Sequence, residues 1–83
     1  MLGWRSEVLV RPAKAGDATA LAKVFAETWR GAYAGVIPYV QLETIVRRRG
    51  KSWWATAIRS GDSLLVIEHD GEVAGYATFG AAR

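Results

Sequence analysis

Few side chains in this sequence could act as acids, bases, nucleophiles or metal ligands. It contains no Cys and a single His, His69, whose side-chain type titrates near neutrality. His69 stands next to Asp70 in a short turn segment, with no Ser or Cys at a recognisable nucleophile motif. Glu68 and Glu72 flank the same turn and are expected to be exposed. The sequence therefore predicts polar turn residues here, and we assign no catalytic residue and no metal ligand.

The strongest charge feature is a basic segment, residues 44–60, with no acid and five cations: Arg47, Arg48, Arg49, Lys51 and Arg59. Residues 47–52 fit an Arg-x-x-Gly-x-small pattern that binds the pyrophosphate of coenzyme A. Such a site needs a strand before it and small residues at the helix start. Here a helical pattern precedes it, Trp53 follows it, and Ile45 stands where a P-loop requires glycine. A solvated helix face is the commoner meaning of such a run, so nucleic-acid binding is a secondary interpretation.

Aromatic rings are concentrated in the middle of the chain, at Trp29, Tyr33, Tyr39, Trp53 and Trp54. They are compatible with core packing and with stacking on the bases of a single-stranded nucleic acid. They are also compatible with the wall of a small-molecule pocket, since such pockets are mostly apolar and aromatic. The residue types alone leave these three interpretations open.

Hydrophobic periodicity predicts the first two elements that position these side chains. Residues Glu7–Arg11 predict a strand that Pro12 ends. A helix is expected after Asp17, the predicted N-cap, and should continue to about Tyr33. Its apolar stripe has helical spacing and comprises Leu21, Phe25, Thr28, Trp29, Ala32 and Tyr33.

Residues 39–58 predict two shorter helices. Gly50 interrupts the pattern, because glycine costs about 1 kcal/mol relative to alanine inside a helix. The second helix is expected to start with Ser52 as its cap and to end before Gly61.

The last part of the chain predicts a β-hairpin. Two β-rich runs, residues 63–69 and 72–79, flank Asp70-Gly71, a pair that favours a type I′ turn. The resulting register places Ile67 opposite Ala74 and Leu65 opposite Tyr76. Gly75 indicates a bulge or a close backbone approach within the second strand.

Length and composition bound the fold class and the location. The 83 residues are expected to form a single domain, residues 1–83. Its predicted class is α+β (mixed α/β) in the order β-α-α-β-β, with two to three helices on a small, largely antiparallel three-stranded sheet. No apolar run approaches the roughly 20 residues that span a bilayer, and no signal peptide is visible. We therefore expect no membrane partner and a cytoplasmic location.

Three segments, taken in order, resemble one family. They are residues 8–13 with Gly16-Asp17-Ala18, residues 28–38 (Thr-Trp-Arg-Gly-Ala-Tyr-Ala-Gly-Val-Ile-Pro) and residues 70–76 (Asp-Gly-Glu-Val-Ala-Gly-Tyr). They resemble the opening strand and helix start, the first-to-second helix segment and the second-to-third strand hairpin of the GCN5-related N-acetyltransferases. Trp53 is similar to a tryptophan usual in the second helix of one bacterial branch. The resemblance implies the N-terminal half of an acyl-CoA N-acyltransferase fold.

The resemblance also implies a reaction, the transfer of acetyl from acetyl-CoA to the amine of a small molecule or protein. In that family the first helix, the following loop and the hairpin line the acceptor side of the cleft. By position, the substrate-binding candidates are Phe25, Trp29, Tyr33 and Tyr76. The family's coenzyme-binding elements come after the hairpin. We therefore expect residues 1–83 alone to bind no acetyl-CoA and to be no competent enzyme.

Two further functions stay open on the sequence. A non-catalytic interaction module would form a homodimer through the last strand, ending at Phe79, because an unpaired strand edge invites pairing with another chain. A small basic nucleic-acid-binding domain would use the arginines and the aromatic rings in the middle of the chain.

Overall fold

The structure, a computed structural model, describes residues 7–61 and 63–78. Its elements are β1 (Val8–Pro12), a 3-10 turn (Ala15–Asp17), α1 (Ala18–Tyr33), α2 (Tyr39–Arg48), α3 (Lys51–Arg59), β2 (Leu64–His69) and β3 (Glu72–Thr78). The strands form one antiparallel sheet in the order β1-β2-β3, which confirms the predicted α+β class. Phe79, the predicted end of the last strand, lies outside the described residues. Within the described ranges, every helix is too short or too polar to cross a bilayer.

The sheet has one face covered by helices and one apolar face that stays accessible. Directly paired residues on antiparallel strands point to the same face. Val66 and Tyr76 are such a pair, and Val66 is fully buried among residues of α1 and α3. Val10 and Ile67 are paired on the opposite face. There Val8 and Val10 remain 61% and 60% exposed.

The hydrophobic core lies between α1, α3 and β2. Its buried members are Ala18, Leu21, Phe25, Trp54, Leu64 and Val66. The apolar stripe predicted for α1 is buried only in its first half. Leu21 and Phe25 reach the core, whereas Thr28 and Ala32 are exposed. The second half of the stripe is therefore available for a role other than core packing.

The β2–β3 hairpin has the predicted turn and an extra residue beyond it. Asp70 and Gly71 have φ angles of 52° and 85°, as a type I′ turn requires. Glu68 pairs with Val73, but the next pair along β2 skips one residue of β3, Ala74. The bulge expected near Gly75 is thus present, one residue earlier.

This bulge makes the predicted register wrong. Ile67 pairs with Gly75 instead of Ala74, and Leu65 pairs with Ala77 instead of Tyr76. A shift of one residue moves every following side chain to the other face of the sheet. Without the bulge Tyr76 would lie on the accessible face, and with it Tyr76 lies under the helices.

Of the two predicted helix caps, Asp17 occupies the N-cap position of α1 as predicted, whereas Ser52 is not the cap of α3. Asp17 precedes α1, but its carboxylate makes no capping hydrogen bond to that helix. It accepts instead from the backbone N–H of Lys14, at 2.7 Å, and from Arg11. The N-cap of α3 is Gly50, so Ser52 lies inside the first turn. The predicted break between α2 and α3 at Gly50 is confirmed.

Candidate functional site

Five aromatic rings form a continuous row across α1, α3 and β3, in the order Tyr33, Trp29, Phe25, Trp54 and Tyr76. Successive ring centroids are 4.6, 5.4, 6.1 and 4.9 Å apart. The tilted and edge-on arrangements are those that aromatic pairs favour. This aromatic row contains all four predicted substrate-binding residues, and Trp54 joins the three on α1 to the one on β3.

The middle of the aromatic row is buried, and both of its ends are more accessible. Phe25 and Trp54 are only 2% and 1% exposed, so they belong to the core and support the row from behind. Trp29 and Tyr76 are half-buried, and Tyr33 is 38% exposed. The rings that can meet a ligand are therefore those of Trp29, Tyr33 and Tyr76.

Sequence reasoning did not separate Trp54 from its neighbour Trp53. The indole Nε1–H of Trp54 donates to the backbone carbonyl of Arg49 at 3.0 Å, which anchors the ring to the end of α2. Trp53 lies outside the aromatic row and is 40% exposed. The spacing contained a signal, because Trp54 and Ile58 are four residues apart and both pack on the core.

An apolar cavity of about 390 Å³ lies at the connection between α1 and α2, next to Tyr33 in the chain. It is lined by Ala34, Gly35, Val36, Ile37, Pro38, Tyr39 and Leu42. The carbonyl of Tyr33 accepts hydrogen bonds from the N–H groups of Val36 and Ile37, at 2.9 and 3.0 Å. The positive φ of Gly35, 84°, allows the chain to turn there. Residues 28–38 carry the most specific part of the family resemblance, and the part of this segment after Tyr33 lines the apolar cavity.

An exposed ion pair joins the helices on either side of this connection. The Arg30 guanidinium donates to both carboxylate oxygens of Glu43, at 2.7 and 3.0 Å. Hydrogen bonding to the arginine lowers the pKa of Glu43, and the same bonds raise the pKa of Arg30. Since each partner is engaged by the other, the cavity is flanked by a neutralised pair and not by a free charge.

The turn carboxylates and His69 lie apart from this site in the hairpin. The expectation that Glu68 is exposed is wrong, because its side chain is only 19% exposed and its Oε2 accepts a hydrogen bond from Nε of Arg11. His69 is exposed, with Nε2 3.8 Å from the Asp70 carboxylate. In the part of the chain that the structure describes, no three His, Asp or Glu side chains are close enough to hold a metal ion.

The basic segment lies on α2 and α3 and does not fit the pyrophosphate of acetyl-CoA. A helix, α2, precedes Gly50 where the coenzyme pattern needs a strand. Arg49 packs against aromatic rings, since its guanidinium lies over those of Trp53 and Phe25, at 4.1 and 5.3 Å from their centroids. We therefore derive no chemical step through acetyl-CoA from these residues.

Comparison of the sequence with models of known protein families and with the curated proteins gave no match. What the chain can do is therefore inferred from its residues and their geometry.

Proposed function

We propose that this chain forms the N-terminal, acceptor-side part of an N-acetyltransferase similar to the GCN5-related family. The observation that carries the proposal is the aromatic row, in which Trp29 and Tyr33 of α1 and Tyr76 of β3 belong to one packed series. The bulge at Ala74 is part of this arrangement, since it turns Tyr76 toward the helices.

The topology supports the same proposal. The order of strands and helices agrees with the one that the family resemblance implies, with β2 central in an antiparallel sheet. Among the described residues β3 pairs only with β2. The family's next strand would pair with that open edge, and later helices would cover the apolar face that carries Val8 and Val10.

The aromatic row would hold an amine in two ways. The face of an aromatic ring attracts an ammonium group, by about 0.5–1 kcal/mol at an exposed site. Half-buried rings also remove water from the amine, which disfavours its charged form and lowers its pKa. The first effect binds the amine in its charged form, and the second favours the neutral form, which is the nucleophile in acetyl transfer.

The acceptor proposal predicts that a small aromatic amine binds at the exposed end of the aromatic row. Titration with 2-phenylethylamine should shift the indole N–H signal of Trp29 in a ¹⁵N–¹H correlation spectrum. Tyr33→Leu should weaken this binding by about 2–5-fold, the equivalent of one exposed cation–π contact. Val40→Ala is the control, because Val40 is an apolar residue that is 72% exposed and lies outside both the row and the cavity lining. Its affinity should equal that of the unaltered chain.

Two results would contradict this proposal. One is equal binding of 2-phenylethanol, which has the same ring and no amine. The other is an equal effect of Tyr33→Leu and Val40→Ala. Calorimetry with acetyl-CoA should show no tight binding by residues 1–83, because the basic segment does not fit the pyrophosphate.

We also propose a cytoplasmic location, since a chain without cysteine gains nothing from an oxidising compartment.

The open edge of β3 favours a second candidate, a homodimerising module. Two copies would pair through β3 and continue the antiparallel sheet across the interface. Sedimentation velocity at micromolar concentration should then show a dimer that dissociates on dilution. A single monomeric species over the whole concentration range would exclude this function and leave the acceptor proposal unaffected.

A further inference from the structure

A groove of about 480 Å³ runs along the side of α3 and has no part in the aromatic row. It is lined by Arg48, Ser52, Trp53, Thr56, Ala57 and Ser60. Ser52, Thr56 and Ser60 are spaced four residues apart, so their hydroxyl groups form a stripe of roughly 12 Å along the helix. The groove therefore combines an aromatic wall, hydroxyl groups and a guanidinium.

Trp53 is the aromatic wall, and its ring is held in place although 40% of the residue is exposed. The guanidinium of Arg49 lies 4.1 Å from the ring centroid. The ring of Trp54 packs edge-on against it, with centroids 4.9 Å apart and planes at 78°. An exposed ring that is already immobilised can stack on a nucleobase with little further loss of side-chain freedom.

One cation lines the groove and two others lie next to lining residues. Arg48 lines it, Lys51 directly precedes the lining residue Ser52, and the Nη2 atom of Arg59 lies 3.5 Å from the hydroxyl of Thr56. Within the described ranges none of the three forms an ion pair with a carboxylate. Residues 44–60 contain no acid, and Asp62 lies outside the described residues. The local field therefore favours an anionic partner.

Helix stability accounts for two of these cations but not for the third. Arg48 and Arg59 lie in the last turns of α2 and α3, where a cation interacts favourably with the helix dipole. Lys51 is the first residue of α3, and no acid occupies that first turn. A cation at a helix N-terminus is unfavourable. The helix dipole therefore does not favour a cation at Lys51, whereas a bound anion would.

We propose that this groove binds single-stranded nucleic acid, with a base stacked on Trp53 and phosphates contacting Arg48, Lys51 and Arg59. The hydroxyl stripe supplies donors and acceptors that suit sugar or phosphate oxygens. The exposed ring favours a single strand, because its bases are free to stack on a side chain. An anionic membrane surface would also bind these cations, but it would not need an aromatic ring held in place by Arg49.

The test measures fluorescence anisotropy of a labelled oligothymidylate of about 12 nucleotides, within the range of single-strand site sizes. Binding should weaken steeply with added salt. Trp53→Leu should reduce the affinity by about 5–100-fold, the loss of one stacked base. Tyr39→Leu, the aromatic control, should bind like the unaltered chain.

Lys51→Glu provides the sharper variant, because its two expected effects have opposite signs. It should weaken oligonucleotide binding by at least about 5-fold, through a lost phosphate contact and added repulsion. It should also raise the midpoint of thermal unfolding by about 1–6 °C, since an acid at a helix N-terminus is favourable. Lys23→Glu on α1 changes the net charge equally and should leave the affinity within about 2-fold. A misfolded variant cannot reproduce the combination predicted for Lys51→Glu.

Several outcomes would overturn the proposal. They are undetectable binding at low salt, equal binding of polyphosphate of the same length, unchanged affinity in Trp53→Leu, and equal losses in Lys51→Glu and Lys23→Glu. Stronger binding to vesicles of anionic lipid than to the oligonucleotide would assign the groove to a membrane surface instead. Binding of the oligonucleotide leaves the acceptor proposal unaffected, because Tyr33→Leu should not alter it.

Discussion

Trp54→Ala is expected to remove a large part of the stability of the protein. Trp54 is 1% exposed and packs against Phe25, Tyr76 and Trp53. Truncation of a buried tryptophan costs about 3–5 kcal/mol, and it also removes the hydrogen bond to the carbonyl of Arg49. A domain of this length has a total stability of about 4–12 kcal/mol, so the loss is a large part of it. Urea denaturation followed by circular dichroism measures the change directly.

Trp53→Ala is the matched control, since it removes the same side chain from the next position. Trp53 is 40% exposed, and its ring contacts the Arg49 guanidinium instead of filling the core. The expected cost is about 1 kcal/mol, from a cation–π contact and partial burial. Equal losses in the two variants would contradict the central position of Trp54. An effect larger for Trp53 would require α3 to be rotated relative to this structure.

Local chemistry in the sequence was enough to predict the fold class and the positions of most elements. The type I′ turn follows from Asp70-Gly71, and the break between α2 and α3 follows from Gly50. Each depends on the backbone preference of one or two residues and on few distant contacts. The end of α1 was predicted for the same reason, because Gly35 and Pro38 follow the last periodic residue.

Features that depend on distant contacts were not predictable in this way. The bulge at Ala74 was anticipated only in kind, since its position is settled by which face of β3 must cover the core. Asp17 was expected to cap α1, but Arg11 from the neighbouring strand engages its carboxylate instead. A prediction from neighbouring residues compares only the hydrogen-bond partners within one segment. It does not include a competing partner from another element, such as Arg11.

The candidate site was predictable to the same extent. The helical spacing of Phe25, Trp29 and Tyr33 places them on one stripe, and the structure confirms that placement. The inclusion of Tyr76 depends on the bulge, and the choice of Trp54 over Trp53 depends on which side of α3 meets the sheet. Both come from tertiary packing, which overrides a register counted from the turn alone.

Asp17→Asn is expected to destabilise the protein at neutral pH by about 1–3 kcal/mol. The Asp17 carboxylate is 7% exposed and accepts two hydrogen bonds from the Arg11 guanidinium, at 2.9 and 3.0 Å. A hydrogen bond to a charged group is worth about 1.5–3 kcal/mol, and a quarter of the Arg11 side chain is exposed, which reduces this value. Asparagine has the same shape but offers a single oxygen and no charge. Urea denaturation of both proteins at pH 7 gives the difference.

The same carboxylate makes the stability of the unaltered protein depend on acid pH. Hydrogen bonding to Arg11 lowers the pKa of Asp17 below its ordinary value of 3.8. A carboxyl whose pKa is lowered on folding stabilises the folded state fully above its ordinary pKa. That contribution is lost as the pH falls through the lower, folded-state value. The denaturation midpoint of the unaltered chain should therefore fall steeply below about pH 3.8.

Asp17→Asn should flatten that acid dependence, because asparagine does not titrate. Glu43→Gln is the control, since Glu43 also has a lowered pKa but belongs to an exposed pair with Arg30. Its loss should change the acid dependence much less, because solvent screens an exposed pair. If Glu43→Gln flattened the profile and Asp17→Asn did not, the acid sensitivity would arise from the α1–α2 pair. The bond from Arg11 to Asp17, which ties β1 to the start of α1, would then contribute little to stability.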